Sequence, residues 1–176
     1  MNTSQNDYPG LAADSPVLHT WVIPSRTGEF TLRLRRGSTG FLLATLALWF
    51  SEVIEQCKGK VLDDWGWAPA RPIRGTTGTL SNHCSGTAMD LNATRHPLAK
   101  AGTFSPAQVR QIHKYLRFLG GSVRGGLDYS NRKDAMHWEI VQDLAYCERQ
   151  AKRVAQFPRG RRVLRANPGQ KKVIWS

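Results

Sequence analysis

The residues from Phe41 to Phe50 are apolar except for Thr45. The run is about half as long as a membrane span and ends at Ser51-Glu52. It predicts a buried core helix from about Phe41 to Gln56, with Gly37-Ser38-Thr39-Gly40 offering the cap. Before it, Met1 to Arg36 is polar and punctuated by Pro9, Gly10, Pro16, Pro24 and Gly28. Within that stretch Phe30 to Arg35 alternates apolar and polar, which predicts a short half-exposed strand. Val61 to Leu80 is turn-rich. Ala88 to Asn92 then reads as a strand with Ala88, Asp90 and Asn92 on one face.

Thr94 to Gly102 reads as a loop containing His96. Ser105-Pro106-Ala107-Gln108 is a helix start: serine caps, proline takes the first turn, and glutamine closes the capping box. Val109, Ile112, Leu116 and Leu119 share the apolar face, His113 lies beside it as a structural residue, and Gly120-Gly121 ends the helix. Ser122 to Leu127 predicts a strand, and Asp128 to Lys133 a polar loop. Met136 to Val141 alternates again. His137, Glu139 and Val141 fall on one side; Met136, Trp138 and Ile140 should face the core. A helix from about Gln142 to Gln156 follows, and Pro158-Arg159-Gly160 breaks it. These elements predict an α+β fold: a small antiparallel sheet packed against helices. The expected organisation is an N-terminal extension with a short strand (1–36), a central domain (37–157) and a basic tail or linker (158–176).

Charge changes the picture at that tail. The net charge is +12, yet from Arg149 onward there are nine basic residues and no acidic one. The remaining sixteen basic residues face thirteen acids. A basic tail adheres to polyanions. Arg161 to Ser176 reads as a linker or disordered segment. Three cysteines, Cys57, Cys84 and Cys147, form no C-x-x-C spacing and argue against a disulfide framework. Met1 to Pro16 has no lysine, arginine or apolar segment of the kind a signal peptide needs. A cytoplasmic origin, with no membrane span, is expected.

The chemistry gathers in two stretches. Ser81 to Asn92 puts His83 and Asp90 seven positions apart with Gly86 between them. A turn at Gly86, left by a strand, would let both close on one metal ion. Asp134-Ala135-Met136-His137-Trp138-Glu139 adds a third ligand, His137, and a free acid, Asp134. Two imidazoles, a carboxylate and an open position make the donor set of a catalytic zinc site, and a spare acid is what an activated water needs. Two imidazoles and one carboxylate also describe non-haem iron sites. Those usually begin with H-x-D/E on one strand, whereas here the acid lies seven residues on. Cys84, beside His83, reads as a small packed side chain and not as a ligand.

The patterns S-x-H-x-x-G-x-A-x-D and D-x-M-H-[FW]-E resemble the family of zinc D-Ala-D-Ala carboxypeptidases and L-alanyl-D-glutamate endopeptidases. That family includes vancomycin-resistance D,D-peptidases and bacteriophage endolysins. Arg71-Pro72-Ile73-Arg74-Gly75 with Leu80-Ser81-Asn82-His83 is most similar to endolysins of actinobacterial phages. The resemblance runs from roughly Gly40 to Val141 and fades at both ends. It implies Zn2+ held by His83, Asp90 and His137, with Asp134 as general base. It implies an arginine over the metal, Arg71 with Arg74 in reserve, and Ser81 at the substrate peptide. Glu139 is expected to orient a ligand histidine from behind. The implied reaction is hydrolysis of a peptidoglycan stem peptide, favouring the L-Ala–D-Glu bond over D-Ala–D-Ala.

A monomer is expected, acting on the wall after release, with anionic wall polymers as partners of the tail. Two alternatives are a non-catalytic wall- or polyanion-binding protein on a peptidase scaffold and a nucleic-acid-binding protein. The intact ligand set with Asp134 argues against the first. The second lacks interleaved aromatics and zinc-finger spacing.

Overall fold

The computed structural model describes residues 3–60, 62–70, 72–73 and 78–175. The fold is α+β, with two small antiparallel sheets and five helices among these residues. The first sheet is a hairpin of β1 (Leu18–Ile23) and β2 (Phe30–Arg35). The second has β5 (Asp134–Ile140) at its centre, flanked by β3 (Ala88–Asp90) and β4 (Val123–Gly126).

Helix α1 (Ser38–Val53) is buried from Ser38 to Ser51. A helix apolar on every side must be covered on every side. The hairpin, β5 and two later helices do the covering. No helix of the described residues is long and apolar enough to cross a membrane. The helix begins three residues earlier than the sequence suggests, so Gly40 lies inside it and not at a cap. A Cβ at Gly40 would meet the Arg35 carbonyl and the Trp21 indole, so only glycine lets the first turn sit on the hairpin.

Strand β1 is a second departure, because residues 1–36 predict a single strand. Trp21 and Ile23 supply its buried side. Helix α2 (Pro106–Phe118) carries the expected reciprocal capping box. Ser105 Oγ accepts from Gln108 N at 3.3 Å, and Gln108 Oε1 accepts from Ser105 N at 2.8 Å. Helix α3 (Leu144–Val154) is capped by Asp143 and starts two residues after the predicted Gln142. Trp138 and Ile140 face the core as expected, but Met136 is only half-buried.

The C-terminal segment corrects the sequence reading most. Arg161 to Trp175 is not a linker: Pro158–Ala166 forms α4 and Pro168–Trp175 forms α5. Val163, Leu164 and Ile174 join the core shared with α1 and the hairpin. Asn167, at the corner between the helices, donates to Val22 O (2.8 Å) and accepts from Val22 N (2.9 Å), as a neighbouring strand would. Glu52 on α1 accepts from Arg162 at 2.7 Å and from Arg159 at 3.3 Å. The N-terminal residues are also built in. Tyr8 is buried and donates its hydroxyl to Gln142 O at 3.0 Å.

Candidate metal centre

Asn82–Ser85 forms one 3-10 turn that ends at Gly86, whose φ of 68° and ψ of 21° suit glycine. Ser81 caps the turn, its hydroxyl accepting from His83 N at 3.4 Å. The chain leaves as β3, in which Asp90 lies directly opposite His137 on β5. The turn thus delivers His83 to a cross-strand pair. His83, Asp90 and His137 are all buried.

Three atoms face one point. His83 Nε2 lies 3.1 Å from His137 Nδ1 and 3.3 Å from Asp90 Oδ1, and His137 Nδ1 lies 3.0 Å from Asp90 Oδ1. A tetrahedral shell with bonds of about 2.0–2.1 Å has edges of roughly 3.3–3.4 Å. The observed triangle matches that to within a few tenths of an ångström.

The outer atom of each residue is already engaged. His83 Nδ1 donates to the Gly66 carbonyl at 2.6 Å, which leaves Nε2 as a lone pair. Asp90 Oδ2 accepts from the Trp65 indole at 2.6 Å, and the Trp65 ring stacks on His83. His137 Nε2 faces Glu139 Oε2 at 3.5 Å, which leaves Nδ1 inward. A single proton between His137 Nδ1 and its two neighbours cannot satisfy both His83 Nε2 and Asp90 Oδ1. A cation at the centre satisfies all three, and the donor set suits zinc. Burial opposes charge on His137, but Asp90 and Glu139 overcome it and push its pKa up to about 10. Burial likewise opposes ionisation of Asp90, and the two histidines hold its carboxyl far below the usual range.

A family model described as D-alanyl-D-alanine carboxypeptidase matches residues 74–140. The match takes in His83, Asp90, Asp134, His137 and Glu139, and it supports the family of zinc peptidases to which those motifs point. The hairpin, α1 and the three C-terminal helices lie outside it. No curated protein and no solved structure matches the chain. The family's members are zinc-dependent, and the match together with the cluster supports a zinc peptidase.

The two acids of β5 differ sharply. Glu139 is buried and saturated. Its Oε1 accepts from Arg124 and Tyr129, and its Oε2 from Asn82. Burial raises the pKa of Glu139, but His137, Tyr129 and Arg124 outweigh it and bring the value down to about 2. Asp134 has one oxygen, Oδ1, that is buried with no hydrogen-bond partner among the described residues. Burial pushes its pKa up to about 6; the charges of His137 and His83 pull it down and that of Asp90 pushes it up. A position three before His137 would face away in an even strand. Here the register shifts opposite Gly125 and Gly126, which pair with Trp138 and Asp134. Such irregularities re-aim side chains.

Arg71 and Arg74 lie outside the described residues. Cys84 is buried and, like Cys57 and Cys147, free. His113 bonds Asp128 at the surface (2.9 Å), and His96 lies in a loop as expected, buried against Thr103 and Glu55. Trp65, Gly66, Arg124 and Tyr129 are site residues that the sequence does not announce. Asn82, inside the first motif, is another.

Proposed function

We propose that this chain hydrolyses a peptide bond in the peptidoglycan stem, as a phage endolysin would, with Zn2+ held by His83, Asp90 and His137. The observation that carries the reading is the inward convergence of three buried ligand atoms whose outer partners are all supplied.

A bound zinc would supply Lewis acidity, lowering the pKa of a water and polarising the scissile carbonyl. The chain's own residues would do the rest. Asp134 accepts the proton of the attacking water and returns it to the leaving amine. Its buried oxygen, unpartnered among the described residues, and its pKa raised to about 6 suit both transfers. Glu139, already engaged by Arg124, Tyr129, Asn82 and His137, holds His137 in place and has no comparable freedom. Arg71, or Arg74 in its stead, holds the developing oxyanion. Ser81, at the mouth of the turn, takes a hydrogen bond from or to the substrate peptide. Exposed basic residues of α4 and α5, among them Arg161, Arg165, Lys171 and Lys172, would hold anionic wall polymers.

The endolysin-like segment around Arg71 and Ser81 favours cleavage at L-Ala–D-Glu. The description of the matching family favours D-Ala–D-Ala. Mass spectrometry of digested peptidoglycan separates the two. Free N-terminal D-Glu on the stem is the expected product of the first, and released D-Ala alone would assign the second. Intact stems after digestion with zinc-loaded protein would remove the peptidase reading.

A further inference from the structure

Glu139 stands in the central strand with Arg124 directly across from it on β4. Its two oxygens have separate duties. Oε1 receives Arg124 Nε at 3.0 Å, Arg124 Nη2 at 2.5 Å and the Tyr129 hydroxyl at 2.6 Å. Oε2 receives Asn82 Nδ2 at 2.5 Å and faces His137 Nε2 at 3.5 Å. The Arg124 guanidinium also lies over the Tyr129 ring, 4.9 Å from its centre. Glu139 is buried, whereas half of the Arg124 side chain is exposed. A carboxylate anchored at one oxygen by a guanidinium fork and a phenol cannot rotate freely. Its second oxygen is therefore fixed toward the ligand histidine.

We propose that Arg124 and Tyr129 are positioning residues of the metal centre. Acting through Glu139, they lock the ring of His137 so that Nδ1 presents its lone pair inward. This rests on the zinc-site reading above. The chain runs from an exposed edge-strand arginine and a half-buried loop tyrosine to a buried ligand, so the metal site is set partly from the surface. Arg124 supplies charge and a two-point grip. Tyr129, from the loop after β4, supplies one hydrogen bond and covers the guanidinium. Arg124 should therefore matter more than Tyr129, and lysine should replace Arg124 only in part, because it keeps the charge and loses the fork.

Zinc affinity, measured by competition with a chromophoric chelator at fixed pH, tests this in the full chain. Cobalt absorption spectra of the substituted proteins give a second readout of ligand geometry. Outer-shell partners of metal ligands typically carry roughly 10- to 100-fold in metal affinity. Arg124→Met should lose about that much, Arg124→Lys should regain part of it, and Tyr129→Phe should lose several-fold while remaining folded. An altered cobalt spectrum in Tyr129→Phe is expected, because loosening of the ligand ring changes the metal's field. Should Arg124→Met fail to fold, Tyr129→Phe and Arg124→Lys still decide the matter. Wild-type affinity and an unchanged cobalt spectrum in both would overturn the inference while leaving the zinc site standing. Failure of the unaltered chain to bind zinc would overturn the metal centre, and this inference with it.

Discussion

The two ends of β5 carry carboxylates in opposite conditions. At one end Glu139 is buried and fully bonded, with its pKa depressed. At the other, Asp134 keeps a buried oxygen without a partner among the described residues, and its pKa is raised. A saturated acid is a fixed part and an unsaturated one is available for proton transfer. An unpartnered buried polar atom is expensive, and the fold tolerates it beside the cluster, where a reacting group would need it. The register shift opposite Gly125 and Gly126 separates the two ends and lets them differ.

The largest expected effect lies between the two ends. His137→Ala removes a ligand and should abolish both zinc binding and wall hydrolysis, read by elemental analysis and zymogram. Asp134→Ala should retain zinc and lower kcat by roughly 10²- to 10⁴-fold, the usual contribution of a placed acid or base. The acidic limb of the wild-type rate profile should reflect the Asp134 carboxyl, since only its ionised form takes a proton. Activity should fall as pH drops through about 6, or lower once a metal's positive charge acts on it. Glu139→Gln should be milder in kcat than Asp134→Ala and act first on zinc affinity. An active Asp134→Ala beside a dead, zinc-loaded Glu139→Gln would exchange the two roles.

The smallest effect belongs to the C-terminal helices. Deleting them would remove Val163, Leu164 and Ile174 from the core, so the informative change is of exposed charge alone. Replacing Arg161, Arg165, Lys171 and Lys172 with glutamine should weaken adsorption to whole walls at low salt, where screening is least. Turnover of a soluble stem peptide should hold. A large loss of that turnover in a folded variant would tie α4 and α5 to the active site.

The same contrast separates what the sequence discloses from what it hides. His83, Gly86, Asp90 and His137 are legible because a turn, a strand and a cross-strand pairing follow from local spacing. The capping box at Ser105 is legible for the same reason. Trp65 and Gly66 are not, since no periodicity links position 65 to Asp90 or position 66 to His83; only the folded chain does. Arg124 is only one residue of the predicted strand from Ser122 to Leu127 until the register sets it against Glu139. Helices α4 and α5 were hidden by composition. Their few apolar residues look too sparse for a core, and Asn167 and Gln170 supply polar anchors that no hydrophobic pattern reveals.

Metal content read together with wall hydrolysis tests the central claim most directly. The protein should carry one zinc per chain, lose hydrolysis on chelation and regain it when zinc is returned. Full hydrolysis by a metal-free sample would contradict the account.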